Sequence, residues 1–130
     1  MRKYRSGPRL IASLVLTLIF SAPLWAHHGT AAYEAGKTVT VQGTVTDFEF
    51  INPHALVFLE VKDEKGNVEK WQGELTSPNR LSRAGWTRHT LKPGDVATFS
   101  GFGAKSGAPT LWITKIVAAD GQEIPLAPGD

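Results

Sequence analysis

The side chains that could do chemistry in this sequence are few: four histidines and no cysteine. His27 and His28 are adjacent in "SAPLWAHHGTAAYE", directly after a run of apolar residues, and His54 stands in "NPH". A cut before His27 would leave that residue as an amino terminus. Its α-amine and imidazole would then form a chelate, and His28 or His54 would complete a set of nitrogen ligands. Nitrogen donors in a tetragonal array favour Cu(II), with Ni(II) and Zn(II) as competitors, so copper is the first metal to expect. An α-amine with its usual pKa of about 8 must lose its proton to bind, so affinity should rise with pH. Two histidines after a leader are also what a solvated flank looks like, and at this level both readings stand.

The cut itself is legible. Met1 to Arg9 carries Arg2, Lys3, Arg5 and Arg9 without an acid, and Leu10 to Trp25 is nearly all apolar with Pro23 near its end. That is the order of a secretory signal peptide. Ala26 is the best last residue of the leader, although Leu24 stands where a second small residue is preferred. A retained anchor is the alternative, since Leu10 to Ala26 lies at the short limit of roughly 17 to 25 residues for a spanning helix. Export with cleavage implies a periplasmic or secreted protein without stable membrane insertion.

Removing residues 1–26 reverses the charge. All 12 acids lie after residue 26 and 4 of the 14 Lys and Arg lie before it, so the mature part carries a net −2. A slightly acidic domain has no electrostatic case for binding nucleic acid. Without cysteine, disulfides and thiolate chemistry are excluded. The partners to expect are a metal ion or a small ligand.

The elements that must position the histidines follow from periodicity. In "KTVTVQGTVTDFEFI", Val39, Val41, Gly43 and Val45 share one face at period two, and Phe48 and Phe50 continue on the opposite parity. The phase change near Thr46 and Asp47 predicts a bulge in a long first strand. "NPH" is a turn, "ALVFLEVKD" a second strand with Ala55, Val57, Leu59 and Val61 on one face, and "VEKWQGEL" a third after the "EKGN" connection. "TSPNRLSRAG" reads as a short helix with Ser77 as N-cap, Pro78 at the first position and Gly85 past the end. "VATFSGFG" and "TLWITKIVAA" are the fourth and fifth strands, and "DGQEI" suggests a short terminal arm. The order is that of an all-β, five-stranded OB-like Greek-key barrel with one short helix between strands 3 and 4; an antiparallel sandwich is the alternative. The expected organisation is a signal peptide over 1–26, an N-terminal segment over 27–37 and the barrel over 38–130.

In an OB-fold the loop joining the first two strands frames the usual ligand face, and His54 lies in that loop. About ten residues separate His27 from the expected first strand, a tether able to span some 33 Å at roughly 3.3 Å per residue. Glu74, closing the third strand, is the one acid placed to orient an imidazole from behind; an acid at such a position more often caps the helix that follows or stays in water. Trp71, Trp86, Trp112, Phe48, Phe50, Phe58, Phe99 and Phe102 offer a second reading, a non-metal module that binds a small molecule, sugar or peptide on the open face. Such aromatics more often form the core. Arg80, Arg83 and Arg88 form a basic cluster of the kind common on exposed helices. An enzyme is the least supported class: no cysteine nucleophile and no Ser-His-Asp set stand in a telling context. "GFGAKSG" lies between strands, whereas a phosphate loop leads into a helix.

Taken together, "AHHG", "VQGTV", "INPHALVFLEV", "SPNRLSRAGWTR" and "LKPGD" before "SGF" resemble a family of small exported bacterial proteins classed only as a domain of unknown function. The resemblance implies an exported OB-like domain and supplies no activity. His27, His28 and His54 match its pattern. His89 stands where members usually carry an acid or another polar residue, which sets it apart from any shared site, and Gly29 replaces a frequent Ser. The exposed chelate expected at His27 is also like the amino-terminal histidine brace of copper proteins.

Overall fold

The computed structural model describes residues 29–126. The expected leader, with His27 and His28, lies outside the described residues. Among the described residues no helix is long and apolar enough to cross a membrane.

A 3₁₀ turn, Gly29–Ala32, runs into β1, Tyr33–Glu49. β2 spans Leu56–Lys62, β3 Val68–Glu74, α1 Pro78–Arg83, β4 Val96–Ala104, β5 Thr110–Ala118 and β6 Glu123–Ile124. The strands neighbour one another in the order β3-β2-β1-β4-β5-β6, and a further pairing of β3 with β5 joins the ends. That closing pair is parallel, through Gln72 with Thr110, Gly73 with Leu111 and Glu74 with Trp112. The others are antiparallel. The architecture is the OB-like barrel that the element order implies, with β6 as the short terminal arm.

β1 serves two neighbours because it is long and bent. It pairs with β4 through Thr38 to Thr44 and with β2 through Thr44 to Glu49. The register slips between Val45 and Asp47, where the sequence changes phase, and the extra residue lets Val45, Phe48 and Phe50 all face the core. The strand also begins earlier than its alternation suggests, at Tyr33 rather than near Thr38. Glu34 to Lys37 carry no apolar period, and the register shifts between Tyr33 and Thr38. What fixes this start is the burial of one ring, Tyr33, at 7% exposure.

The interior is filled by Val45, Val57, Leu59, Phe99, Leu111, Ile113 and Ile116, each 1% exposed or less. Side chains of this class contribute about 1.5 to 3 kcal/mol each on full burial. α1 closes one end. Ser77 caps it, its Oγ accepting from Arg80 N, Pro78 starts it, and Gly85 follows in the left-handed region at φ 88°. Leu81 on its inner face is fully buried, and Trp86 beyond it packs on Phe48 and donates from Nε1 to the carbonyl of Pro125 at 2.7 Å.

Two glycines set the closest approaches. A Cβ on Gly101 would lie 1.8 Å from the Trp112 carbonyl oxygen, and one on Gly73 would lie 2.3 Å from Ile113 Cδ1. Both sit at the seam joining β3 to β5 and β5 to β4. They allow the strands to approach closely beside the Glu74–Trp112 pairing.

Candidate functional site

At that seam, outside the central core cluster, a second small group of side chains forms. Tyr33 and Trp112 are buried at 7% and 8% exposure, yet neither belongs to the core cluster. Their rings pack at 6.2 Å between centroids, and the His54 ring meets Trp112 edge-on at 5.2 Å and 83°. The polar atoms converge on Glu74. Tyr33 Oη donates to Glu74 Oε2 at 2.7 Å, and His54 Nδ1 pairs with the other oxygen, Oε1. Thr110 Oγ1 lies 3.4 Å from Tyr33 Oη; with the phenol proton given to Glu74, the threonine hydroxyl is the donor.

Each member arrives on a different element. His54 follows the cis Asn52–Pro53 bond in the loop between β1 and β2. Ala55 next to it is tied to β3, its N–H donating to the Thr76 carbonyl and its carbonyl accepting from Leu75 N. Glu74 ends β3, Thr110 and Trp112 belong to β5, and Tyr33 opens β1. The parallel pairing of Glu74 with Trp112 places the carboxylate beside the indole.

Electrostatics assign the roles. A carboxylate only accepts, so His54 Nδ1 is the donating nitrogen, and in the neutral ring Nε2 carries the lone pair. Among the described residues no hydrogen bond to Nε2 forms, and the His54 side chain is 26% exposed. Burial pushes the Tyr33 phenol from 10.0 up to about 12; the Thr110 hydroxyl opposes the shift and the Glu74 charge adds to it. Tyr33 is therefore a neutral donor across the physiological range.

A histidine backed by a carboxylate through one ring nitrogen, with the other nitrogen open, is the arrangement metal-binding histidines use. Among the described residues no group of three or more His, Cys, Asp or Glu side chains could hold a metal ion unaided. The expected co-ligands, His27 and His28, lie outside the described residues, so of the three expected ligands only His54 is described. His89 is elsewhere, exposed in the loop after α1, its N–H bonded to Thr87 Oγ1. The sequence reading found His54 and Glu74 but missed Tyr33. Its one available signal was a lone aromatic six residues after His27.

A shallow cleft of about 340 Å³ opens on the neighbouring sheet face, lined among others by Asp47, Glu49, Phe58, Glu60 and Trp71. Phe58 and Trp71 are half-buried there, while Phe99 and Trp86 are core residues.

A family model described as a family of unknown function (DUF6152) matches residues 15–111. The matched span holds His27, His28, Tyr33, His54, Glu74 and Thr110 and stops just before Trp112. No curated protein matches the chain. Among solved structures the chain is similar to the ZRD-deleted mutant of TiaS in complex with agmatine, at 21% identity and a TM-score of 0.44, covering 75% of this chain and 24% of that one. It is also similar to a tRNA fluorescent labeling enzyme, at 22% identity and a TM-score of 0.43, covering 65% of this chain and 18% of that one. The chain spans about a quarter or less of either protein.

Proposed function

The chain belongs to this family of unknown function (DUF6152), and we propose that it is an exported binding protein that holds a transition-metal ion, copper first, through His27, His28 and His54. The observation that carries the reading is His54, tied through Nδ1 to Glu74 with Nε2 open, in the cluster where Tyr33 begins β1. Only the turn Gly29–Ala32 separates His28 from Tyr33. The tether between the paired histidines and the barrel is thus shorter than strand periodicity suggests, and it is anchored beside His54.

Cleavage after Ala26 would give His27 a free α-amine and a chelate of two nitrogens, to which His28 and His54 Nε2 add imidazoles. Glu74 stands behind His54 and would orient its ring toward the ion. All the donors are nitrogen, which suits Cu(II). In this reading the leader, residues 1–26, directs the chain to the periplasm or beyond the cell and is then removed.

The test is a Cu(II) titration of the protein that starts at His27 beside a variant with one residue added before it. The added residue moves the chelating amine, so stoichiometric tight binding should be lost. Equal affinity in the two forms would overturn the reading.

A second reading is favoured by the cleft beside Phe58 and Trp71: a module that takes a small molecule, sugar or peptide on the open sheet face. Such a module would keep its ligand when His27 and His28 are both replaced by Ala, and a metal protein would not keep its metal.

A further inference from the structure

We propose that Tyr33 is the positioning residue of this site: acting through Glu74, its hydroxyl holds the His54 imidazole with Nδ1–H bound and Nε2 presented as the open ligand nitrogen. The use of that nitrogen rests on the metal reading, but the geometry does not.

The terminal torsion of a glutamate is soft and has two broad minima, so Glu74 alone would present either oxygen to His54 over a range of tilts. Two donors remove that freedom. Tyr33 Oη takes Oε2 at 2.7 Å, which leaves Oε1 for His54 Nδ1. Tyr33 is itself rigid: its ring is packed on Trp112, Thr110 touches its oxygen, and its backbone pairs with Ala104 of β4. His54 is the looser partner, with a side chain 26% exposed on a loop, and its own ring contact with Trp112 fixes a plane without choosing a nitrogen. The choice comes from the carboxylate. The opposite tautomer would turn the Nδ1 lone pair toward Glu74 Oε1, placing two acceptors face to face.

Removing the hydroxyl while keeping the ring isolates this effect. In Tyr33→Phe the packing on Trp112 stays, Glu74 Oε2 loses its donor and the carboxylate regains its rotation. The His54 ring then loses its fixed tilt, although the carboxylate still accepts from Nδ1.

The experiment is long-range proton–nitrogen NMR of the His54 ring in the metal-free protein at pH 8, followed by a Cu(II) titration with electron paramagnetic resonance. The wild-type protein should show one tautomer, protonated on Nδ1. Tyr33→Phe should keep that tautomer but show exchange-broadened His54 ring signals, about ten-fold or more weaker Cu(II) binding and an altered nitrogen hyperfine pattern. Thr110→Val, which perturbs the same cluster without removing the donor to Glu74, should keep the sharp signals. Sharp and unshifted His54 ring signals in Tyr33→Phe overturn the proposal, as does equal broadening in Thr110→Val. A His54 ring that loosens in Tyr33→Phe in a protein that binds no Cu(II) upholds the positioning role and overturns the metal reading.

Discussion

Tyr33 and His54 are joined by a single carboxylate: Tyr33 Oη donates to one oxygen of Glu74 and His54 Nδ1 pairs with the other. The bridge ties the first residue of β1 to the loop that follows the same strand. It crosses the seam where β3 meets β5, so the beginning and end of the longest strand are held at one point of the barrel wall.

Glu74→Gln should weaken Cu(II) binding by roughly 10- to 100-fold, because an amide cannot accept from both Tyr33 and His54 and so no longer fixes the ring. His54→Ala should weaken it further, by removing the ligand itself. Competition titrations against a chelator of known affinity give both values. Binding unchanged in Glu74→Gln would remove this residue from the account.

Stability should fall at alkaline pH through Tyr33. Its phenol is raised from 10.0 to about 12 on folding, so the native state holds its proton more tightly than the unfolded chain. That contribution is complete below about pH 10 and is lost as pH rises toward about 12. Two units set an upper bound of about 3 kcal/mol, before discounting for partial exposure. Urea unfolding of wild type and Tyr33→Phe across this window gives the check: the wild-type decline should be steeper.

Gly101→Ala should destabilise the fold by about 3 kcal/mol or more, since the added methyl would sit 1.8 Å from the Trp112 carbonyl oxygen, a backbone atom that cannot step aside. Gly73→Ala should cost less, about 1 to 3 kcal/mol, because the atoms it meets end the side chains of Ile113 and Val57. Chemical denaturation that ranks the two the other way would contradict this description of the seam.

Trp86→Phe keeps most of the ring against Phe48 but removes the Nε1 donor to Pro125, and should cost about 1 kcal/mol for the lost hydrogen bond. Hydrogen exchange of the Glu123–Ile124 strand should quicken in this variant. Exchange equal to wild type would mean that the indole does not hold the terminal arm.

Particular residues explain what the sequence made legible. Ser77, Pro78 and Gly85 bound α1 because capping chemistry is local and needs no tertiary information. The bulge after Val45 was legible because a burial pattern of period two must break where two residues face one. The alternation of Ala55, Val57, Leu59 and Val61 gave the inner face of β2 in the same way. The start of β1 was not legible: Glu34 to Lys37 have no alternation, and Tyr33 is held by Trp112, Thr110 and Glu74, all far along the chain. In the site, His54 and Glu74 stood out as a loop histidine and the acid closing a strand. Their meeting depends on the parallel β3–β5 pairing, which no local pattern encodes.

The central claim, that export exposes His27 and that the exposed end holds a metal with His54, meets its most direct test in one native mass spectrum of the protein recovered after export. The account predicts the mass of residues 27–130 plus one copper ion, with the copper lost on His54→Ala. A chain cut at another position, or one that begins at His27 and takes up no metal when copper is supplied, would contradict it.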